Sequence, residues 1–356
     1  MNKGIVIYGG GFCGLAFCDM LIKNNIYPIA ILDQDPKKKG IIWRGIVEIK
    51  LPDEQFVEDA IVIVCCVEKG NLFSEIKKKL EIIGYRNIIH ISDYANENES
   101  EKIFETQKII LRRRNNIVEK NDKSYREVIN LLCDIKSKEI YEQILEQLAG
   151  NNIEIDSLPM KQQYFSYELY KKNEKEVFVD VGAHNGCVMN TFLANMKGKY
   201  KEYHAFDVDD RYIAILKAQV AMHSDEKQQK IVIHDFGLSD CEQKVKFTNY
   251  LDSNSVIDDF GERTGRCEML DHLSIPVTFM KIDVEGYEEK VIEGARKHIL
   301  KYQPLIACAM YHNEKELFKI PIKLHELLPK HKLVIRSYMN INETICYAIP
   351  EERCLV

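Results

Sequence analysis

Residues 177–186 read VFVDVGAHNG, a short apolar strand interrupted by one acid and followed by a turn with glycines at 182 and 186. A glycine turn after a strand lets the backbone approach a ligand where a Cβ would obstruct it. Working outward, four more apolar segments follow: EYHAFDV (202–208), KIVIHDF (230–236), VTFMKIDVEG (277–286) and PLIACAMY (304–311). Polar stretches of helical length separate them, the alternation of a doubly wound parallel sheet. Two further segments, KLVIRSY (332–338) and ETICYAI (343–349), are joined by only Met339-Asn340-Ile341-Asn342, which suits an antiparallel hairpin.

Upstream lies a second glycine turn, in IVIYGGGFCG (residues 5–14), with Gly9, Gly11 and Gly14 in G-x-G-x-x-G spacing around Phe12. Asp33 closes the next apolar segment, PIAILD, at the distance expected of an acid that accepts a ribose hydroxyl. Strands are predicted at 3–8, 28–33, 46–49, 60–67 and up to Ile91, with helices at 12–24 and 72–83, the latter capped by Gly84. A helical pattern runs from Val128 to Leu148 and stops at Gly150-Asn151-Asn152. The chain is therefore expected to be α/β, with two doubly wound Rossmann-like domains, 1–95 and 171–356, joined by a helical connector at 96–170.

Bulk properties narrow the functional classes. A length of 356 residues favours two domains, and 46% hydrophobic with 29% charged residues is ordinary for a folded protein. A net charge of -6 offers no general attraction to nucleic acid, and the one dense basic run, Leu111-Arg112-Arg113-Arg114, reads as a solvated helix face. Eleven scattered cysteines without a C-x-x-C pair point to reduced, buried thiols, neither disulfides nor a metal centre. The longest apolar run, Ala60 to Val67, is too short to cross a bilayer, and the first strand starts without a signal-peptide core, so a cytoplasmic location is expected. A homodimer is left open.

The acids at the strand ends carry the chemistry. Asp180 before the turn can face the ammonium of a methionine moiety, and Asp207 can accept both ribose hydroxyls. Asp235-Phe236-Gly237 lies where an adenine would sit, the acid accepting the exocyclic amine and Phe236 packing on the base. This order of acids suits S-adenosylmethionine, whereas a pyrophosphate calls for helix N-terminal donors with no acid nearby. In Lys281-Ile282-Asp283-Val284-Glu285-Gly286, Asp283 and Glu285 end a strand and face the crevice, where a carboxylate serves as general base or holds a divalent ion. The plainer reading has Glu285 capping the next helix and Lys281 pairing with an acid. His312 is a further candidate base on the crevice rim, and His184 packs near the cofactor. Ser253, Asn254 and Ser255 form a polar loop within reach of a substrate.

The strings FVDVGAHNG, HAFDV, FMKIDVEGYEEKVIEGA and KLVIRSYMNINETICYAIP resemble FkbM-type S-adenosylmethionine-dependent methyltransferases over about Gln163–Pro350. The resemblance implies a class I methyltransferase fold and O-methylation of a hydroxyl on a sugar or polyketide-type product. It implies that Asp180, Gly182, Ala183, Asn185 and Gly186 form the cofactor turn, that Asp207 holds the ribose, and that Asp283 and Glu285 border the methyl-transfer site. The chain departs from the family at Asp207-Val208, where Glu-Pro is usual. The N-terminal unit is similar to small Rossmann-like domains of sugar-modifying enzymes, which implies a nucleotide or nucleotide-linked sugar as its ligand. The expected activity is methylation of a saccharide or saccharide-linked acceptor. The rival readings are an NAD-dependent oxidoreductase using the first glycine turn and a non-catalytic nucleotide-binding or scaffold protein.

Overall fold

The computed structural model describes residues 4–54, 57, 59–66, 71–91, 93–94, 122–149, 153–249, 255–257, 261–313, 315–338 and 343–356. The basic run 111–114, the loop residues Ser253 and Asn254, the turn 339–342 and the side chains of Phe12 and Ser255 lie outside the described residues. Two compact units emerge, one reaching Tyr94 and one starting at Asp122. No described helix is long and apolar enough to cross a membrane.

The first unit contains β1 (Ile5–Tyr8), α1 (Phe12–Lys23), β2 (Ala30–Leu32), β3 (Ile42–Trp43), β4 (Val47–Lys50), β5 (Ile61–Val64), α2 (Asn71–Ile83) and β6 (Asn87–His90). Its sheet order is β3-β4-β2-β1-β5-β6. Every pair is parallel except β3–β4, a short ribbon that the sequence pattern did not announce. The ribbon is tied to α1 by Asp19, which accepts from Trp43 Nε1 at 2.7 Å and pairs with Arg44 at 2.6 Å.

The second unit begins with α3 (Asp122–Leu131) and α4 (Ile135–Leu148). The single helical pattern of the sequence is thus two helices, because Asp134 breaks it and caps α4 by accepting from Ser137 N at 3.0 Å. Ile140, Tyr141, Ile144 and Leu148 bury α4 in the core of this unit. There follow β7 (Val177–Val181), α5 (Cys187–Met196), β8 (Glu202–Phe206), α6 (Asp210–Ala221), α7 (Asp225–Gln228), β9 (Ile231–His234), β10 (Gly237–Leu238), β11 (Gln243–Asn249), β12 (Ser255–Ile257) and β13 (Arg263–Glu268). The chain ends with β14 (Phe279–Ile282), α8 (Glu288–Gly294), α9 (Arg296–Tyr302), β15 (Leu305–Ala309), α10 (Glu316–Leu327), β16 (Lys332–Ser337) and β17 (Thr344–Ile349).

The main sheet has the order β16-β17-β15-β14-β7-β8-β9, parallel except that β17 runs antiparallel to both its neighbours. A second sheet, β10-β13-β11-β12, lies between the third and fourth apolar segments, where the sequence pattern assigned no strand. Successive strand residues point to opposite faces. Val177, Val179, Val181, Met280 and Ile282 face the layer that holds α4 and α10. Phe178, Phe279, Tyr203 and Ala307 face the other layer, with Met189 and Phe192 of α5. Covered faces explain the near-continuous apolar strands.

On that second face two charged residues sit side by side, Asp180 opposite Lys281 in the β7–β14 register. Lys281 Nζ lies 3.1 Å from Asp180 Oδ1 and donates to the carbonyls of Val181 (3.2 Å) and Gly182 (2.6 Å). Asp180 Oδ2 accepts from Tyr203 OH at 2.5 Å. Burial pulls the Lys281 pKa down, but Asp180, Asp283 and Asp207 more than offset this, so the ammonium is held above its ordinary range. Removing one partner of such a pair leaves a lone buried charge. Lys281→Met is expected to cost about 3–5 kcal/mol in urea unfolding, with the Asp180→Asn/Lys281→Met double variant losing less than the single. A single variant as stable as the wild type would contradict this account.

Candidate active site

Connections from β7 run through β8 to β9 on one side of the sheet, and those from β14 run to β15 on the other. In an open α/β sheet the crevice opens where the order reverses, at the C-terminal ends of these two strands. Gly182 follows β7 with φ +78, and a Cβ there would lie 2.0 Å from Asp283 O, so the turn after β7 and the loop after β14 meet at a position only glycine fits. Gly182 N and Ala183 N donate to Phe206 O at 3.0 and 3.1 Å, joining the turn to β8. Asn185 Oδ1 accepts from Cys187 N at 3.1 Å, and Asn185 O accepts from Gln219 Nε2 at 2.9 Å. At Gly186 a Cβ would meet that same Gln219 side chain at 2.4 Å.

Asp207 ends β8 and accepts one amide on each oxygen, His184 N at 2.8 Å and Asp209 N at 2.9 Å. Burial raises its carboxyl pKa to about 6. The four lone-pair sites of a carboxylate leave one on each oxygen for a further donor. The His184 ring packs against Tyr212 at 3.9 Å between centroids, and burial lowers its pKa. Its Nε2 is buried without a hydrogen bond. Val208, at the departure noted in the sequence, fits a notch left by Gly237 and Gly265: a Cβ on either would come within 2.8 and 2.7 Å of its side chain.

Several expected roles are corrected. Asp180 does not face the crevice; it is fully buried beneath the turn and engaged by Lys281 and Tyr203, because it shares a strand face with Phe178. Phe236 is a core side chain, edge-on to Phe206 at 5.6 Å and covered by Arg266 at 4.7 Å, so its ring is not free to receive a base. Gly237 belongs to β10, paired with Cys267 of the second sheet. Asp235 is exposed at the tip of β9, 3.9 Å from Arg266.

The three expected catalytic residues do converge. Asp283 accepts from Tyr164 OH at 2.6 Å and from Tyr311 OH at 3.3 Å. His312 Nε2 lies 3.4 Å from Asp283 Oδ1 and 3.6 Å from Glu285 Oε2. His312 is not on the rim, however; it is wholly buried behind these acids. On its other side Nδ1 is 2.9 Å from Glu288 Oε1, at ion-pair distance but out of hydrogen-bond alignment, and 3.9 Å from Glu316 Oε2. Burial alone would lower the His312 pKa, but Glu288 and Glu285 raise it well above the usual imidazole range. Burial likewise opposes charge on Glu288, yet His312 holds its carboxyl below the usual range. Glu288, the first residue of α8, accepts from Val284 N at 2.9 Å. Glu316 accepts from His312 N at 2.9 Å.

Five participants escaped the sequence reading: Tyr164, Glu288, Tyr311, Glu316 and Glu343. Glu288, Tyr311 and Glu343 lay inside strings already quoted, and Glu316 follows His312 by four residues. Tyr164 and Glu343 come from opposite ends of the domain and carried no local signal. Glu343 accepts from Gln163 Nε2 at 2.6 Å, and burial followed by the charge of Asp283 pushes its carboxyl up to about 7.

In the first unit, Gly14 permits α1 to rest on the turn, since a Cβ there would be 1.7 Å from Gly9 O, whereas Gly11 faces open space. Asp33 is turned back onto this loop. Its Oδ2 accepts from Gly10 N at 2.7 Å and lies 3.3 Å from Lys38 Nζ, and its Oδ1 accepts from Asp35 N at 2.8 Å. Each oxygen thus accepts one backbone amide, the arrangement found at Asp207, with Lys38 as an additional charged neighbour.

Comparison with known proteins agrees with the sheet topology. Residues 180–339 match the family model described as the methyltransferase FkbM domain. A crystal structure of the methyltransferase FkbM from Methylobacillus flagellatus KT superposes with a TM-score of 0.68 at 19% identity, over 97% of this chain and 90% of that one. Much weaker likenesses are the methyltransferase domain of bacterial CtHen1-CN (TM-score 0.33, 10% identity, 53% of this chain and 99% of that one) and a precorrin-6y C5,15-methyltransferase from Geobacter metallireducens GS-15 (0.34, 13%, 56% and 94%). No curated protein sequence matches the chain. Residues 180–339 of this chain thus form a methyltransferase FkbM domain.

Proposed function

We propose that this chain transfers a methyl group from S-adenosylmethionine to a hydroxyl oxygen of a saccharide or saccharide-linked acceptor. The observation that carries the reading is the meeting of the Gly182–Gly186 turn, Asp207 and Asp283 at adjoining strand tips. The residues fit the cofactor: Asp207 keeps one lone pair on each oxygen for a pair of ribose hydroxyls, and the buried Nε2 of His184 lacks a partner. When bound, the cofactor supplies an electrophilic methyl group on a sulfonium.

The protein's part is to hold the acceptor close and in line and to take up the hydroxyl proton. Asp283 and Glu285 border the crevice, and Tyr164 and Tyr311 fix the orientation of Asp283. Glu343, with its carboxyl near 7, is matched to proton uptake at neutral pH. The acceptor class is supported by the carboxylates gathered at this point, Asp283, Glu285 and Glu343, which can accept from the hydroxyls of a polyhydroxylated molecule.

Isothermal titration is expected to show S-adenosylmethionine binding, weakened about ten- to hundredfold in Asp207→Asn, the loss typical of a charged contact. Wild-type affinity should fall as the pH drops below about 6, where Asp207 takes up its proton, and the Asn variant should lack that dependence. Transfer of methyl label to a cell-envelope glycan extract tests the acceptor class. Clean, folded protein that binds no cofactor would overturn the proposal.

Glu343 allows a test that needs no acceptor. A carboxyl raised to about 7 in the folded state lets the unfolded chain ionise first. Its contribution is intact below the ordinary glutamate range and is lost as pH rises through about 7. In chelator-containing buffer, urea unfolding should show the wild type losing on the order of 2–3 kcal/mol between pH 4 and pH 8 relative to Glu343→Gln. Parallel profiles would place Glu343 in water.

A further inference from the structure

We infer that Asp283, Glu288 and His312 form a binding site for one divalent transition-metal ion of the Mn2+ class. One donor atom from each residue lies within 4.8 Å of the other two. Donors bound at about 2.1–2.2 Å span at most about 4.4 Å, so sub-ångström movements close the set on an ion.

Proximity of acids alone would say little. The buried atoms carry the inference: both ring nitrogens of the wholly buried His312, and Glu288 Oε2, have no hydrogen bond. Buried polar atoms are satisfied in folded proteins by a partner, a water or an ion. Four carboxylates, those of Asp283, Glu285, Glu288 and Glu316, approach the His312 ring within 3.9 Å. One imidazolium against four carboxylates leaves negative charge in a buried place. A dication bound to the neutral imidazole compensates it better than a proton does.

The donor set selects the ion. Ca2+ and Mg2+ favour oxygen ligands throughout, whereas an imidazole beside carboxylates suits Mn2+, Fe2+ or Zn2+. Glu288 and His312 are buried, but the Asp283 side chain is 22% exposed, so the site opens on the crevice side only. Tyr164 OH bonds Asp283, the outer support that fixes a ligating carboxylate. An acceptor hydroxyl reaching the ion from the crevice would lose its proton more readily. That role rests on the methyl-transfer reading; the binding site does not.

The test uses the full chain, stripped with chelator, dialysed and titrated with MnCl2 while the electron paramagnetic resonance signal of free Mn2+ is followed. One Mn2+ per chain is expected to bind, with affinity reduced at least about tenfold in Asp283→Asn and in Glu288→Gln. Glu174→Gln, at an exposed surface pair, should leave binding unchanged. Circular dichroism establishes folding, and Asp283→Asn, at the partly exposed ligand, carries the test if the buried variant does not fold. No stoichiometric Mn2+ binding by wild type, or unchanged affinity in a folded Asp283→Asn, overturns the inference. Titration with S-adenosylmethionine in chelator separates the claims: binding there without any Mn2+ site sinks the metal alone, and a Mn2+ site without cofactor binding sinks the methyl-transfer reading alone.

Discussion

The buried pair of Lys281 and Asp180 is the constraint on which the active site depends. These residues face each other across β7 and β14, the strands at which the winding of the sheet reverses. Lys281 also grips the carbonyls of Val181 and Gly182, so the ammonium fixes the exit of one strand from its neighbour. From that point the geometry follows by contact. Gly182 meets the Asp283 carbonyl, the turn bonds Phe206 at the end of β8, and His184 N holds Asp207. A buried charge pair adds little net stability, but it gives the strands one arrangement that satisfies it.

Carboxylates do most of the work around this crevice, and their surroundings give them different tasks. Asp207, on two backbone amides and otherwise desolvated, sits near 6. Glu343, desolvated beside Asp283, sits near 7 and can exchange a proton at neutral pH. Glu288, more deeply buried, is held ionised by His312. The same side-chain chemistry thus takes three protonation behaviours, which the proposed reaction would use as a ligand holder, a proton acceptor and a fixed anion, according to which charge lies next to each.

The strand tips were legible in the sequence because apolar runs ending in an acid mark both the sheet and its crevice: Asp207 and Asp283 stand where that pattern puts them. Asp180 was misjudged although the sequence held the clue. It shares strand parity with Phe178, which sends it to a sheet face rather than to the tip. The second sheet was overlooked for a similar reason: in QKVKFTN (243–249) only Val245 and Phe247 alternate inward among polar neighbours. The acid cluster around His312 had no local signature. Glu288, Glu316, Asp283 and Glu343 are brought together by β14, β15 and β17, and such convergence depends on strand order, which a single sequence expresses weakly. In the first unit the G-x-G-x-x-G spacing reported packing faithfully, with Gly14 against Gly9 and Asp33 bonded to the amide of Gly10.

The central claim is that the crevice between β7 and β14 is the place where the methyl donor is held. Hydrogen–deuterium exchange with and without S-adenosylmethionine tests this most directly. The account predicts new protection of the amides at 182–186, 207–209 and 283–286, with residues 9–14 unchanged. Protection confined to residues 9–14, or none anywhere, would contradict it.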